Sequence, residues 1–216
     1  MKIYFLVIPV IIGMIFGVLV TTNMNDTSNN STILNKANLL VGSTILGNPN
    51  AKITVVEFGD YQCTFCYKFH NDVMKKINAQ YIKSGSVNFI YKDFPLNGKP
   101  SFLASEASYC AQQQGRFWTY HDMLYDNWGG ENTGWITQKV LTDFAIESKL
   151  NLEKFNSCMK NSEFQEKVTN NEQFAREIGI NATPSFLIFN DNDVYRIIGA
   201  QSFEKFEQIF EKLGNS

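Results

Sequence analysis

The sequence predicts an α/β fold, a mixed sheet carrying one large all-helical insertion. Three observations lead there. A β-branched run, Ile53 to Phe58, feeds directly into a segment with helical apolar spacing and is followed by a second strand-like run, Val87 to Tyr91, which is the pattern of a βαβ unit. Between Gly98 and Gly179 apolar residues recur only at helical spacing. Two short strand-like runs then follow, Phe186 to Phe189 and Val194 to Ile198, joined by a loop at Asn190 to Asp193 as in an antiparallel hairpin.

Taken in order, the chain begins with about eighteen uncharged residues, Ile3 to Val20, preceded only by Lys2. That is long enough to span a bilayer with the amino end in the cytoplasm. Residues 1–22 are therefore read as a transmembrane anchor or signal segment; the stretch is long for a signal peptide, and Thr21 to Asp26 lacks a small-x-small cleavage pattern. Residues 23–38, rich in Asn, Ser and Thr, cannot bury a core and read as a flexible linker. Asn25, Asn29, Asn30 and Asn181 each open an N-x-S/T triplet, which leaves glycosylation open in so Asn-rich a chain. Residues 39–216 form one domain. With 44% of its 216 residues hydrophobic the chain can bury a full core, and a net charge of -2 without a basic stripe argues against nucleic acid.

Within the domain a short apolar stretch, Leu39 to Leu46, precedes a turn at Gly47-Asn48-Pro49 and the strand Ile53 to Phe58. A helix from Cys63 to about Lys83 ends at Ser84-Gly85, and Val87 to Tyr91 alternates as a strand parallel to the first, joined by a right-handed crossover. The insertion, about 99–179, carries apolar faces at Leu103, Ala107, Cys110 and Ala111; at Trp135, Ile136, Val140 and Phe144; at Leu152, Phe155 and Met159; and at Phe164, Val168, Phe174 and Ile178. Gly115 and Gly179 stand where C-caps belong, and Asn151 and Ser162 where N-caps belong. Trp118, Tyr120, Tyr125 and Trp128 form an aromatic cluster, read as core packing or as rings lining a groove beside Cys63. The last helix starts at Ser202, turns Phe203, Phe206, Phe210 and Leu213 inward and stops at Gly214.

The chemistry lies at the first strand-to-helix junction. A helix N-terminus carries roughly half a positive charge and unpaired N–H groups, so Cys63 placed there has its thiolate favoured and is the natural nucleophile. Cys66 lies one turn on, among Phe69, Val73 and Ile77, and is the buried resolving thiol. A zinc half-site would need a second ligand pair that the sequence lacks, and a structural bridge across four residues would be a poor staple. Glu57 shares a strand face with Ile53 and Val55, where a carboxyl should have a raised pKa; an edge-exposed glutamate is the alternative. Lys92 belongs either near Glu57 or in solvent, and neither His70 nor His121 is assigned a role. Cys110 and Cys158 fall on or beside apolar helix faces. They are read as a structural disulfide closing a loop of about fifty residues, worth roughly 4 kcal/mol, or as two buried thiols. Pro184 opens a strand where a turn or a cis bond is common.

These features together resemble the DsbA-like thioredoxin-fold thiol-disulfide oxidoreductases. Within that group the chain is most similar to the membrane-anchored BdbD-type branch, through Gly47 to Lys52, Glu57 to Cys63 and Lys92-Asp93-Phe94-Pro95-Leu96. The resemblance implies that Cys63 and Cys66 are catalytic. It also implies that Glu57 relays a proton to the inner thiol and that Pro184 is a cis-proline facing the disulfide. Thr183, with Thr64 and Phe65, would then meet the substrate. Where the family's dipeptide usually begins with proline, and in strong oxidants ends in histidine, this chain has Thr64-Phe65, whose side chains bring no charge to the thiolate. The implied activity is an extracytoplasmic dithiol oxidase at the cell membrane, single-pass, acting on cysteine-containing exported proteins. A quinone-linked membrane protein of the DsbB or VKOR type would re-oxidise it, with no separate cofactor and no metal. Disulfide reductase or isomerase, and a peptide-holding module without catalysis, are the alternatives.

Overall fold

A computed structural model of the chain describes residues 39–40 and 44–215. The anchor and linker expected over residues 1–38 lie outside the described residues. Among the described residues no helix is long and apolar enough to cross a membrane.

The described strands form one five-stranded sheet in the order β1-β3-β2-β4-β5. At its centre β2 (Ile53–Gly59) runs parallel to β3 (Val87–Asp93), with Val55 opposite Phe89 and Glu57 opposite Tyr91. The short β1 (Ile45–Leu46) pairs antiparallel with β3. On the other side β4 (Ser185–Phe189) lies antiparallel to β2 and to β5 (Val194–Ile198), as the hairpin reading required. All residues of β2 and β3 are buried, so β3 does not alternate between core and solvent as its sequence suggested. The reason is that both faces are covered.

One face packs Val55, Phe89, Phe186 and Ile188 against the helical run after Cys63 and the final helix. The other packs Val56, Phe58, Ile90 and Leu187 against Ala175 and Ile178. The helical run comprises α1 (Thr64–Phe69), a π turn at His70–Met74, α2 (Lys75–Ile77) and a second π turn at Asn78–Ile82. Its end matches the helix expected to about Lys83, but the widened turns leave no trace in the apolar spacing.

The insertion consists of helices joined by loops, without a strand among its described residues: α3 (Lys99–Gln112), α4 (Phe117–Asp126), α5 (Gln138–Glu147), α6 (Leu152–Lys160) and α7 (Gln165–Glu177). Asn151 caps α6, its Oδ1 accepting from Lys154 N at 3.0 Å. Gly179 (φ +75°) closes α7 in a Schellman pattern, with Gly179 N donating to Arg176 O and Ile180 N to Ala175 O. Ser162 is not an N-cap. It sits at φ +49° in the α6–α7 turn, and Phe164 occupies the cap position without a side-chain bond. Leu103 is exposed, and Trp135 lies ahead of α5, which Thr137 caps through its hydroxyl. Cys110 on α3 and Cys158 on α6 are joined, with their Cα atoms 5.8 Å apart. The last helix, α8 (Phe203–Gly214), buries Phe203, Phe206, Ile209, Phe210 and Leu213.

Candidate active site

The turn that delivers Cys63 is built on Asp60. Its Oδ1 accepts from Gln62 N at 2.8 Å and from the Ser101 hydroxyl at 2.6 Å, and its Oδ2 accepts from Asn97 N at 2.8 Å. Cys63 N donates to Asp60 O, so one residue fixes the approach to the nucleophile from three directions. Cys63 is the N-cap of α1, its Sγ accepting from Cys66 N at 3.4 Å. Across the site the Thr183–Pro184 bond is cis, and the Cys63 thiol lies 3.4 Å from Thr183 O. The two cysteines are unbonded thiols. Cys63 is 5% exposed and Cys66 0%. The outer sulfur is therefore slightly more accessible than the inner one but is itself nearly buried, with the Thr183 carbonyl against it.

The two thiols differ in acidity. Cys63 is lowered from 9.0 to about 7, first by its hydrogen bond with Cys66 and further by the Thr183 side chain and the amides of Cys66 and Phe65, against the opposing effect of burial. Burial pushes Cys66 well up, and the neighbouring Cys63 and Glu57 charges push the same way. Glu57 is 2% exposed on the central strand, so the edge-exposed alternative fails. Burial, then the Cys63 charge, raise its carboxyl well above the usual range, and its Oε1 has no hydrogen-bond partner. Lys92 is neither beside Glu57 nor solvated. It pairs in register with Phe58, pointing to the opposite sheet face, where its ammonium lies 6.0 Å from the Phe174 ring centre.

The rest of the site comes from the α4–α5 loop. Trp128 Nε1 donates to Gln62 O at 3.2 Å and its ring stacks on Tyr67 at 4.5 Å. Glu131 Oε2 accepts from Thr64 N and from the Thr64 hydroxyl, each at 2.9 Å. Phe65 is 57% exposed beside them. The expected aromatic cluster thus divides: Tyr120 and Tyr125 are core, bonded to Leu141 O and Asp60 O, Trp118 packs on Phe89, and Trp128 reaches the site. Asp60 and Glu131 were not assigned a role in the sequence, whereas Trp128 belonged to the aromatic cluster read as core packing or as rings beside Cys63, and it takes the second place. Of the two unassigned residues only Asp60 left a signal there, as an acidic residue in the turn just before the cysteine.

His70 and His121, unassigned by sequence, are both buried, and with Asp122 they bring ligand-capable atoms within 4.8 Å of one another. Burial holds both imidazoles neutral, His70 down to about 4. His121 Nδ1 meets the Tyr61 hydroxyl at 3.1 Å, and His70 Nε2 lies 3.7 Å from Asp126, so the pair ties the helical run to α4. This is the group among the described residues with the chemistry to hold a divalent metal.

A sequence profile of the family described as Thioredoxin matches residues 40–212. The chain belongs to the thioredoxin family. Among curated members it is 29% identical over 175 residues to disulfide bond formation protein D of Bacillus subtilis, covering 80% of this chain and 76% of that protein. It is 32% identical over 148 residues to the probable disulfide bond formation protein D of Bacillus anthracis, covering 66% and 68% respectively. Among solved structures, oxidised BdbD from Bacillus subtilis superposes with a TM-score of 0.73 at 29% identity, over 81% of this chain and 94% of that one. The α-DsbA1 of Wolbachia pipientis gives 0.72 at 27%, over 85% and 94%. This thioredoxin-family chain is a DsbA-like protein disulfide oxidoreductase, and Cys63-Thr64-Phe65-Cys66 stands at its first strand-to-helix junction, between β2 and α1.

Proposed function

We propose that the protein is an extracytoplasmic, membrane-tethered dithiol oxidase that passes the Cys63-Cys66 disulfide to exported proteins. The observation that carries this reading is the arrangement of Cys63 at the helix N-cap against the cis Thr183–Pro184 loop with Cys66 fully buried one turn on, which leaves the two thiols unequal in acidity. In the oxidised enzyme a substrate thiolate attacks Cys63 Sγ, the Cys63–Cys66 bond breaks, and Cys66 leaves as a thiolate. Cys66, held well above the usual thiol range, takes a proton, and the raised Glu57 carboxyl is the donor. A second substrate thiolate then attacks the substrate sulfur of the mixed disulfide and expels Cys63 as a thiolate, the better leaving group of the pair. The substrate leaves oxidised and the enzyme reduced by two electrons. Turnover needs a membrane re-oxidant, for which a quinone-linked protein of the DsbB or VKOR type is proposed.

Support for the location comes from the uncharged Ile3 to Val20 segment and from a Cys110–Cys158 bridge of the kind that persists in oxidising compartments. The exposed Phe65 ring on one side of Cys63 and the Thr183 backbone at its sulfur offer an apolar and a hydrogen-bonding contact to an unfolded substrate segment.

One observation favours a second reading, a reductase or isomerase. The Cys63 value of about 7 equals the thioredoxin figure of about 7 rather than the DsbA figure of about 3.5. A glutathione-buffered titration of the couple separates the two. A potential near about −120 mV supports the oxidase, and one near about −270 mV supports the reductase. Cell fractionation with protease protection tests the location: the proposal requires the domain to be membrane-bound and accessible from outside the cytoplasm.

A further inference from the structure

The α4–α5 loop brackets the nucleophile. It holds the residue before Cys63 through Trp128 and the residue after it through Glu131. The Glu131 contact is the more consequential because it carries charge. Thr64 opens the helical run, so its amide is one of the donors that no earlier carbonyl satisfies. Glu131 Oε2 takes that amide and the Thr64 hydroxyl at 2.9 Å each. The Cys63 sulfur accepts from the amide of Cys66, two residues further on, at 3.4 Å. Two anions therefore share one helix start, on donors of its first turn, whenever Cys63 is ionised. In the closed disulfide only one of them is charged.

We propose that Glu131 is a positioning residue that moderates this couple: it pins the first turn through Thr64, and its carboxylate opposes the Cys63 thiolate. The opposition falls on the reduced state alone, because the disulfide bears no charge. Glu131 thus makes the enzyme a milder oxidant than its helix start would otherwise allow, and it links the helical insertion to the redox poise of the pair. The inference rests on the redox reading of Cys63 and Cys66.

Three variants separate charge from contact. Glu131→Gln keeps an oxygen for the Thr64 donors and removes the charge; Glu131→Asp keeps the charge; Glu131→Ala removes both. Glu131 is exposed, and none of these changes enters the core. The readouts are the Cys63 pKa, from alkylation rate against pH, and the potential of the couple in a glutathione titration. Glu131→Gln is expected to lower the Cys63 pKa by about half to one unit and, in a titration at a pH well above 7 where Cys63 is ionised, to raise the potential by the equivalent 15–30 mV at about 30 mV per unit. Glu131→Asp should stay near wild type, and the Glu131→Gln shift should shrink in molar salt. A Glu131→Gln protein with wild-type pKa and potential, or with a lower potential, overturns the inference. So does an equal shift in Glu131→Asp. A wild-type couple that does not titrate at all overturns instead the redox reading beneath it.

Discussion

Cys63 Sγ lies 3.4 Å from Thr183 O, and the Thr183 side chain is among the groups that lower the Cys63 pKa. A carbonyl can only accept, so it is the side chain that favours the thiolate. Thr183→Val should therefore raise the Cys63 pKa from about 7 by about half a unit or more, without displacing the backbone that faces substrate. Initial rates of iodoacetamide labelling between pH 5 and pH 9 measure the shift.

Glu57 sets a pH dependence whose sign follows from its raised value. Above pH 4.5 the unfolded chain has released this proton while the folded chain still holds it. The contribution of Glu57 to stability is thus most favourable below pH 4.5 and is lost as pH rises toward its folded-state value. Glu57→Gln should flatten that slope in urea melts. It should also slow oxidation of a reduced protein substrate about tenfold or more near neutral pH, because Cys66 loses its nearby proton donor.

The Cys110–Cys158 bridge spans a sequence separation of 48. In the chain-entropy account its loss costs about 4 kcal/mol. Replacing both cysteines with Ala should lower the thermal midpoint by on the order of 10 °C. Thiol exchange at 25 °C should be unchanged, since neither residue touches the Cys63 site. Calorimetry and an exchange assay on the same variant check both halves.

Asp60 presents acceptors to Gln62 N, Asn97 N and Ser101, and burial raises its pKa against those bonds. An asparagine has one acceptor oxygen where the carboxyl has two, which strands the Asn97 amide. Asp60→Asn should cost about 1–3 kcal/mol in urea denaturation and broaden the Cys63 alkylation profile as the turn loosens.

What the sequence made legible was local. The 2.0 and 3.6 periodicities marked β2, the helical run, the insertion helices and the β4–β5 hairpin, and the cysteine spacing at a strand-to-helix junction marked the reactive pair. What escaped was made by distant segments. Glu131 meets Thr64 across 67 residues, Trp128 meets Gln62 across 66, and Asp60 meets Asn97 across 37, and none of these contacts has a periodic signature. Lys92 was misplaced for a related reason: its burial depends on α7 covering a sheet face that the strand sequence alone leaves open. The two histidines were passed over because each is unremarkable until the fold sets them side by side.

Site-resolved alkylation of the reduced protein, with labelled peptides quantified at each pH, tests the central assignment most directly. Labelling confined to Cys63, rising through a midpoint near pH 7 while Cys66 stays unmodified to well above pH 9, is the expected result. Labelling of Cys66 ahead of Cys63, or of both with one common midpoint, would contradict it.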